Sequence, residues 1–245
     1  MGASGHRLDL HSHTFFSRDG VMSPAALLTA ARERGLSCIA ITDHDTIRGA
    51  LQGVALAESD PSLPRVIPGV ELSTRGGEII GFYVSEEIPS RLTVEEAVLR
   101  IRGQGGLACL PHPYDVLRHG TISKRELLHA AELVDVIEAA NGRSLGPRGT
   151  RKADALARRL GKPRAAGSDA HRRAEVGSAY VTVGAVPTRD TLVHLLEAGS
   201  LERGPTAAGF LRNWVYRALS PMTRVRRRLE GLRLWQRGPR TGDRR

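Results

Sequence analysis

The sequence predicts an α/β fold, a parallel sheet with helices outside it, either open or closed into a barrel. Three observations carry this expectation. Strand-like and helix-like stretches alternate along the chain, the order that βαβ units produce. With 245 residues the chain can build one sizeable core. And nearly every strand-like run ends in a side chain able to bind a metal ion; in a parallel barrel all those ends open onto one face.

The elements follow in order. HRLDLH, at residues 6–11, reads as a short strand. Ser23 before Pro24 sets a cap residue ahead of proline at the first helical position, and a helix over 25–34 is closed by Gly35. LSCIAITDHD is a buried strand and TIRGALQGVALAES a helix. RVIPGVELS and EIIGFYV are strands around a TRGG turn. Thr93, with Glu96 three residues on, forms a capping box for a helix reaching Gln104. GLACLPHP is a strand, 123–131 a helix, VDVIEAAN a strand and 147–160 a helix. KPRAAGSDAH and AYVTVG are strands, and 188–198 is a helix.

Charge divides the chain. The net charge is +10, yet residues 203–245 hold 12 arginines against only Glu230 and Asp243, which leaves 24 basic and 24 acidic side chains in residues 1–202. The expected organisation is a neutral globular domain over 1–202 and a basic amphipathic helical tail over 203–245. In the tail, Phe210, Leu211, Trp214, Val215 and Leu219 share one helical face, and Met222, Val225, Leu229 and Leu232 recur at helical spacing. Such a tail can pack on the domain, bind RNA or DNA through its arginines, or lie on an anionic membrane surface. Cys38 and Cys109 sit in apolar runs and read as buried thiols without a disulfide framework. No apolar run approaches the ~20 residues that span a bilayer, and the N-terminus lacks a secretory core, so a soluble, cytoplasmic protein with no transmembrane segment is expected.

The chemistry begins at DLHSHTFFSRDG. Residues i and i+2 of a strand share a face, so His11 and His13 point the same way, and paired imidazoles commonly open a transition-metal site. Asp43, His44 and Asp45 end the second strand, Glu71 the third, His112 a later one, and Glu138 with Asn141 another; Asp169 and His171, again two apart, end one more. Each has a plainer reading. Asp45 or Thr46 can cap the next helix. Glu78 can be a turn residue after Gly76 and Gly77, and His112, between two prolines, can be structural. Arg143 can pair with an acid instead of gripping a phosphate. Glu71 is harder to explain so, because a carboxylate buried without a partner is costly. His6, His119, His129 and His194 have no such placement and read as surface or core residues.

Taken together, DLHSHTFFSRDG, ITDHDT, PGVELST, LPHP, IEAANGR and GSDAH resemble the PHP (polymerase and histidinol phosphatase) family, in the form of its stand-alone bacterial metal-dependent phosphoesterases, over about residues 7–185. The resemblance implies a distorted (βα)7 barrel with two or three divalent ions (Mn, Zn or Fe) at the strand C-termini. It implies one ion held by His11, His13, Glu71 and Asp169, a second bridged by Glu71 and completed by His112, and a third held by Asp19, His44 and His171. The chain departs from the family pattern twice. Many members carry His where this chain has Glu78, and an oxygen ligand there favours Mn or Fe over Zn. Many place the acid one residue nearer the histidine pair, where this chain has Arg18, so the ligand is assigned to Asp19.

The implied reaction is hydrolysis of a phosphate ester by metal-activated hydroxide, the substrate being a phosphorylated small molecule, a nucleotide or an oligonucleotide end. Arg143 would steady a non-bridging oxygen, and Asp43 or His44 would carry the leaving-group proton. Metal-dependent C–N hydrolysis on amidohydrolase barrels is a different class; many of those bridge two metals with a modified lysine at a strand end, and Lys124, Lys152 and Lys162 end none. The alternative is a non-catalytic, metal-stabilised module whose basic tail binds nucleic acid or a partner. Such modules usually lose ligands, and here almost all are present.

Overall fold

The computed structural model describes residues 5–115, 120–144 and 147–203. Its elements are β1 (His6–Asp9), α1 (Pro24–Glu33), β2 (Cys38–Ile41), α2 (Arg48–Ser59), β3 (Arg65–Ser73), β4 (Glu78–Phe82), α3 (Val94–Gly103), β5 (Leu107–Leu110), α4 (Leu127–Leu133), β6 (Val136–Asn141), α5 (Pro147–Arg159), β7 (Arg164–Gly167), β8 (Ala179–Val183), α6 (Leu192–Glu197) and β9 (Ser200–Arg203).

All nine strands join one sheet in the order β7-β6-β5-β4-β3-β2-β1-β8-β9. The run from β1 to β7 curls until its ends meet. The chain just beyond β1 pairs with the chain at the end of β7: Leu10 N–H donates to the Ala166 carbonyl at 3.0 Å, Asp169 N–H to that of His11 at 2.7 Å, and His13 N–H to that of Ala170 at 2.8 Å. Strands β1–β7 therefore form a distorted (βα)7-type barrel. The start of β1 pairs instead with β8, which carries β9 as an antiparallel ribbon.

The expected all-parallel sheet needs correction at three strands. β8 and β9 run antiparallel to their neighbours, and β4 runs antiparallel to both β3 and β5. For β4 the reason is the connection. Thr74 and Gly77 close a tight turn, with Gly77 at φ 140°, and a parallel crossover needs a dozen or more residues. β9 is an element that the sequence reading does not contain, and it runs across the expected boundary at 202/203. The helix expected over 123–131 lies at Leu127–Leu133. The helices expected beyond residue 203, and His119, lie outside the described residues.

Alternate strand residues separate two layers. Leu8, Cys38, Ala40, Ile80, Phe82 and Cys109 belong to the cluster that fills the barrel. Their neighbours Ile39 and Ile41 face outward against Leu27 and Leu28 of α1, whose full burial contributes about 1.5–3 kcal/mol each. Ile79, Ala108 and Leu110 face α3 and α4 in the same way. Local signals hold the helices in place. Ser23 caps α1 by accepting from Ala26 N–H at 3.1 Å, and Thr93 with Glu96 forms the full capping box of α3. Both cysteines are buried free thiols, and burial pushes Cys38 up to about 12. Among the described residues no helix is long and apolar enough to cross a membrane.

Candidate metal centre

The barrel mouth gathers polar side chains from five strands that end there and from one that begins there. The continuation of β1 brings His11 and His13, and the chain after β2 brings His44. Glu71 comes from β3, His112 from the chain after β5, and Asp169 and His171 from the chain after β7. Glu78 is the first residue of β4. It reaches the same mouth because β4 is reversed. Asp45, His112 and Asp169 take left-handed backbone conformations, with φ of 56°, 28° and 54°. Such backbone costs on the order of 1–3 kcal/mol per residue and is concentrated at functional sites. Close packing continues behind the site. A Cβ on Gly167 would sit 2.3 Å from His11 Cβ and 3.0 Å from Glu138 Oε1, so only glycine fits.

Donor atoms converge on Glu71. Its Oε2 lies 3.3 Å from His11 Nε2, 3.3 Å from His13 Nε2 and 3.2 Å from His44 Nδ1, and its Oε1 lies 3.1 Å from His112 Nε2. His11 Nε2 and His13 Nε2 are 3.1 Å apart, and Asp169 Oδ1 lies 3.9 and 3.5 Å from them. Ligand atoms bound tetrahedrally at 2.0–2.2 Å stand about 3.3–3.6 Å apart, so this spacing suits a shared ion. Glu78 lies 3.7 Å from both His44 Nδ1 and His112 Nε2. On the outer side, Asp19 lies 3.2 Å from His171 Nε2 and 3.8 Å from His44 Nε2. Among the described residues, four overlapping groups can each hold a cation: His13, Asp19, His44 and His171; His11, His13 and Asp169; His11, Glu71 and His112; His44, Glu71 and Glu78.

A second layer fixes which nitrogen faces the centre. Glu138, almost fully buried, lies 3.1 Å from His11 Nδ1 and also accepts from His112 N–H at 2.7 Å and Asn141 Nδ2 at 3.0 Å. A carboxylate beside Nδ1 holds a proton there, which leaves the Nε2 lone pair of neutral His11 aimed at Glu71 and Asp169. That arrangement demands a positive charge. Burial opposes charge on His11, but Asp169, Glu71 and Glu138 outweigh it and hold the imidazole well above its usual range. Burial and His171 push His13 down, and burial pushes His44 down. Burial would raise the Glu71 carboxyl, yet His11 and His44 hold it well below the usual range. The donor set fits divalent cations, which answer the same demand without protonating any imidazole. One donor atom of this set, His44 Nδ1, is buried without a hydrogen-bond partner.

The structure brings His11, His13, Asp19, His44, Glu71, Glu78, His112, Asp169 and His171 to one mouth, and leaves one expected residue out. Asp43 is fully buried with both oxygens taken by Thr14, from N–H and from Oγ1, each at 2.6 Å. This corrects Asp43 as a proton carrier: it anchors the loop after His13. Asp45 is no helix cap either. It accepts from Ser73 N–H at 2.7 Å and from its hydroxyl at 2.9 Å. Arg143 lies at the mouth, its Nη1 2.9 Å from His171 Nδ1 and 3.4 Å from Asp169 Oδ1. Sequence reasoning places Glu138 among the metal-capable strand ends but not in a ligand set, and leaves Ser17 and Asp9 without a role. Ser17 Oγ lies 3.0 Å from His13 Nδ1 and accepts from His44 N–H at 2.8 Å. Asp9 accepts from Ser168, Gly177 and His11 N–H groups, and burial raises its carboxyl to about 6. An acid inside an otherwise apolar strand, as in RLDL, is the signal that could have found it.

Comparison with known proteins agrees with this geometry. The family model described as the PHP domain matches residues 9–132, about half of the chain, and a second, described as PHP-associated, matches residues 147–201. An uncharacterized protein of Methanocaldococcus jannaschii is 35% identical over 178 residues, covering 71% of this chain and 69% of that one. The chain belongs to the PHP family. A 5'-3' exoribonuclease of Haemophilus influenzae is 29% identical over 150 residues, and the match spans 55% of this PHP chain and about half (53%) of the exoribonuclease. Among solved structures, a two-domain protein from Bacteroides vulgatus containing a PHP-like domain superposes with a TM-score of 0.64 at 19% identity, covering 81% of this chain and 65% of that one; it shares the fold. As a PHP protein the chain is a metal-dependent phosphoesterase in the general sense.

Proposed function

We propose that the mouth holds two or three divalent ions and that the chain uses them to hydrolyse a phosphate ester, carried by a nucleotide, an oligonucleotide end or a small phosphometabolite. One observation carries this reading: five imidazoles and four carboxylates from distant parts of the chain aim their donor atoms into a single mouth. Asp19, Glu71, Glu78 and Asp169 gather carboxylate charge at the mouth, which divalent ions held by these groups would offset. The mixed N and O set, richer in oxygen at Glu78, supports Mn or Fe over Zn.

The proposed ligand sets follow the groups on the structure. His11, His13, Glu71 and Asp169 would hold one ion. His112 and Glu78 would complete a second beside Glu71, and Asp19, His44 and His171 a third. The chemistry that such ions supply is acidification of water to a pKa of about 7 and neutralisation of charge on the phosphoryl oxygens. The chain's own residues do the rest. Glu138 holds His11 in the tautomer that presents Nε2, and Ser17 orients His13. Arg143, partly exposed above Asp169 and His171, would orient a phosphoryl oxygen through its fork of N–H donors. His44, whose Nε2 lies 3.8 Å from Asp19 and whose Nδ1 lies 3.2 Å from Glu71, would carry the leaving-group proton when it does not hold the third ion.

Nucleic-acid substrates draw support from the exoribonuclease relative and from the arginine-rich segment over 203–245, which would neutralise several phosphates. The test is metal analysis of the purified chain, followed by a phosphatase screen of mono-, bis- and oligonucleotides with added Mn²⁺. Activity toward at least one ester, abolished by His11→Ala and Asp169→Ala, is expected. Full activity in either variant overturns the reading.

A further inference from the structure

We propose that Phe15 and Phe16, with Arg48 over the second ring, form a stacking wall for a nucleobase carried by the phosphate ester. Five large apolar side chains stand exposed among the described residues. Leu51, Leu99 and Leu128 lie on separate helices, but Phe15 and Val21 share the loop that also supplies Ser17 and Asp19 to the metal centre. Phe15 is 47% exposed. Scattered apolar side chains on a surface are ordinary, so exposure alone assigns nothing. Three further facts do.

The loop is tied down on both sides of Phe15. Thr14 is bound to Asp43, Ser17 to His13 and His44, Phe15 N–H donates to the Met22 carbonyl at 2.7 Å, and Val21 N–H to that of His171 at 3.2 Å. The exposed ring is thus held in position. The two rings pack on each other with centroids 4.7 Å apart, and the Arg48 guanidinium lies 5.0 Å from the Phe16 centroid. Flat π-faces beside a guanidinium are the surface on which unpaired bases stack. Finally, Arg18 stands exposed on the same loop, between Ser17, which meets His13 and His44, and Asp19, which meets His171. A ligand with a flat ring and a phosphate matches this combination; a purely apolar partner does not.

The proposal rests on the phosphoesterase reading for where the phosphate sits, and binding separates the two. The probes are the phosphonate analogues of adenosine 5′-monophosphate and of ribose 5-phosphate, in which a methylene replaces the ester oxygen. Their affinities are measured by calorimetry on the full chain with Mn²⁺, alongside hydrolysis of the two esters. We expect the adenosine analogue to bind about tenfold more tightly, and Phe15→Ala to reduce that preference to about twofold or less. Arg48→Ala should lower it in the same direction. Equal binding of the two analogues by the unaltered chain, or a preference that survives Phe15→Ala, overturns the wall. A change of oligomeric state in Phe15→Ala with the preference intact also overturns it, and makes the patch a contact between copies. Preferential binding without hydrolysis of either ester leaves the wall standing and removes these two esters as substrates.

Discussion

Glu138→Gln is a substitution of one atom that should act through a proton. In the native site one carboxylate oxygen faces His11 Nδ1 at 3.1 Å, and the other accepts from His112 N–H at 2.7 Å and Asn141 Nδ2 at 3.0 Å. Glutamine fills the same space. Its carbonyl oxygen will keep the two short bonds on the His112 side, which leaves its NH₂ against His11. Two N–H groups cannot face each other, so the imidazole must move its proton to Nε2, the atom that faces Glu71 and Asp169. The lone pair needed for metal binding is then on the wrong nitrogen. Loss of such an orienting partner typically weakens metal binding 10–100-fold, about 1.4–2.8 kcal/mol. Mn²⁺ titration followed by calorimetry should show that loss. Glu138→Ala is the comparison: it removes the orienter but imposes no tautomer, and should bind Mn²⁺ at least as well as Glu138→Gln despite the void it leaves. Wild-type affinity in Glu138→Gln, with an unchanged unfolding midpoint of the metal-free chain, would refute the reasoning.

Other outcomes can be checked alongside. Chelation should abolish hydrolysis and lower the unfolding midpoint. At 100 times Kd a bound ion stabilises by about 2.7 kcal/mol, which at about 2–4 °C per kcal/mol is roughly 5–10 °C in a scanning experiment. Arg143→Ala should reduce kcat/KM by about 10²–10³ while Mn²⁺ content stays at the wild-type level; a drop in bound metal would place Arg143 in holding the ligands instead. Gly167→Ala drives a methyl into His11 and should cost about 1–3 kcal/mol in denaturant melts, and an unchanged midpoint would contradict the close approach. Asp43→Asn should leave the shape of the pH–rate profile unchanged, since the carboxylate is spent on Thr14; a lost ionisation would restore Asp43 as a proton carrier.

Much of this protein is local in origin, and local features are what a sequence displays. The cap at Ser23, the capping box at Thr93 and the fully buried run Cys38–Ile41 depend on neighbours a few residues away, so each was visible in the letters. The pairs His11 and His13, and Asp169 and His171, were legible because extended backbone puts alternate residues on one side. The sequence by itself therefore determined which chemistry-bearing side chains stand at strand ends, and how charge divides between a balanced stretch over 1–202 and an arginine-rich one beyond it. Tertiary structure decided the rest, because the deciding contacts join residues far apart in the chain. Only strand pairing shows that β4 is reversed and that Glu78 opens at the mouth. Only packing turns Asp43 toward Thr14, and only the 127-residue separation closed between His11 and Glu138 reveals which nitrogen faces the centre. A carboxylate's role is set by what it meets in space, and no local spacing encodes that.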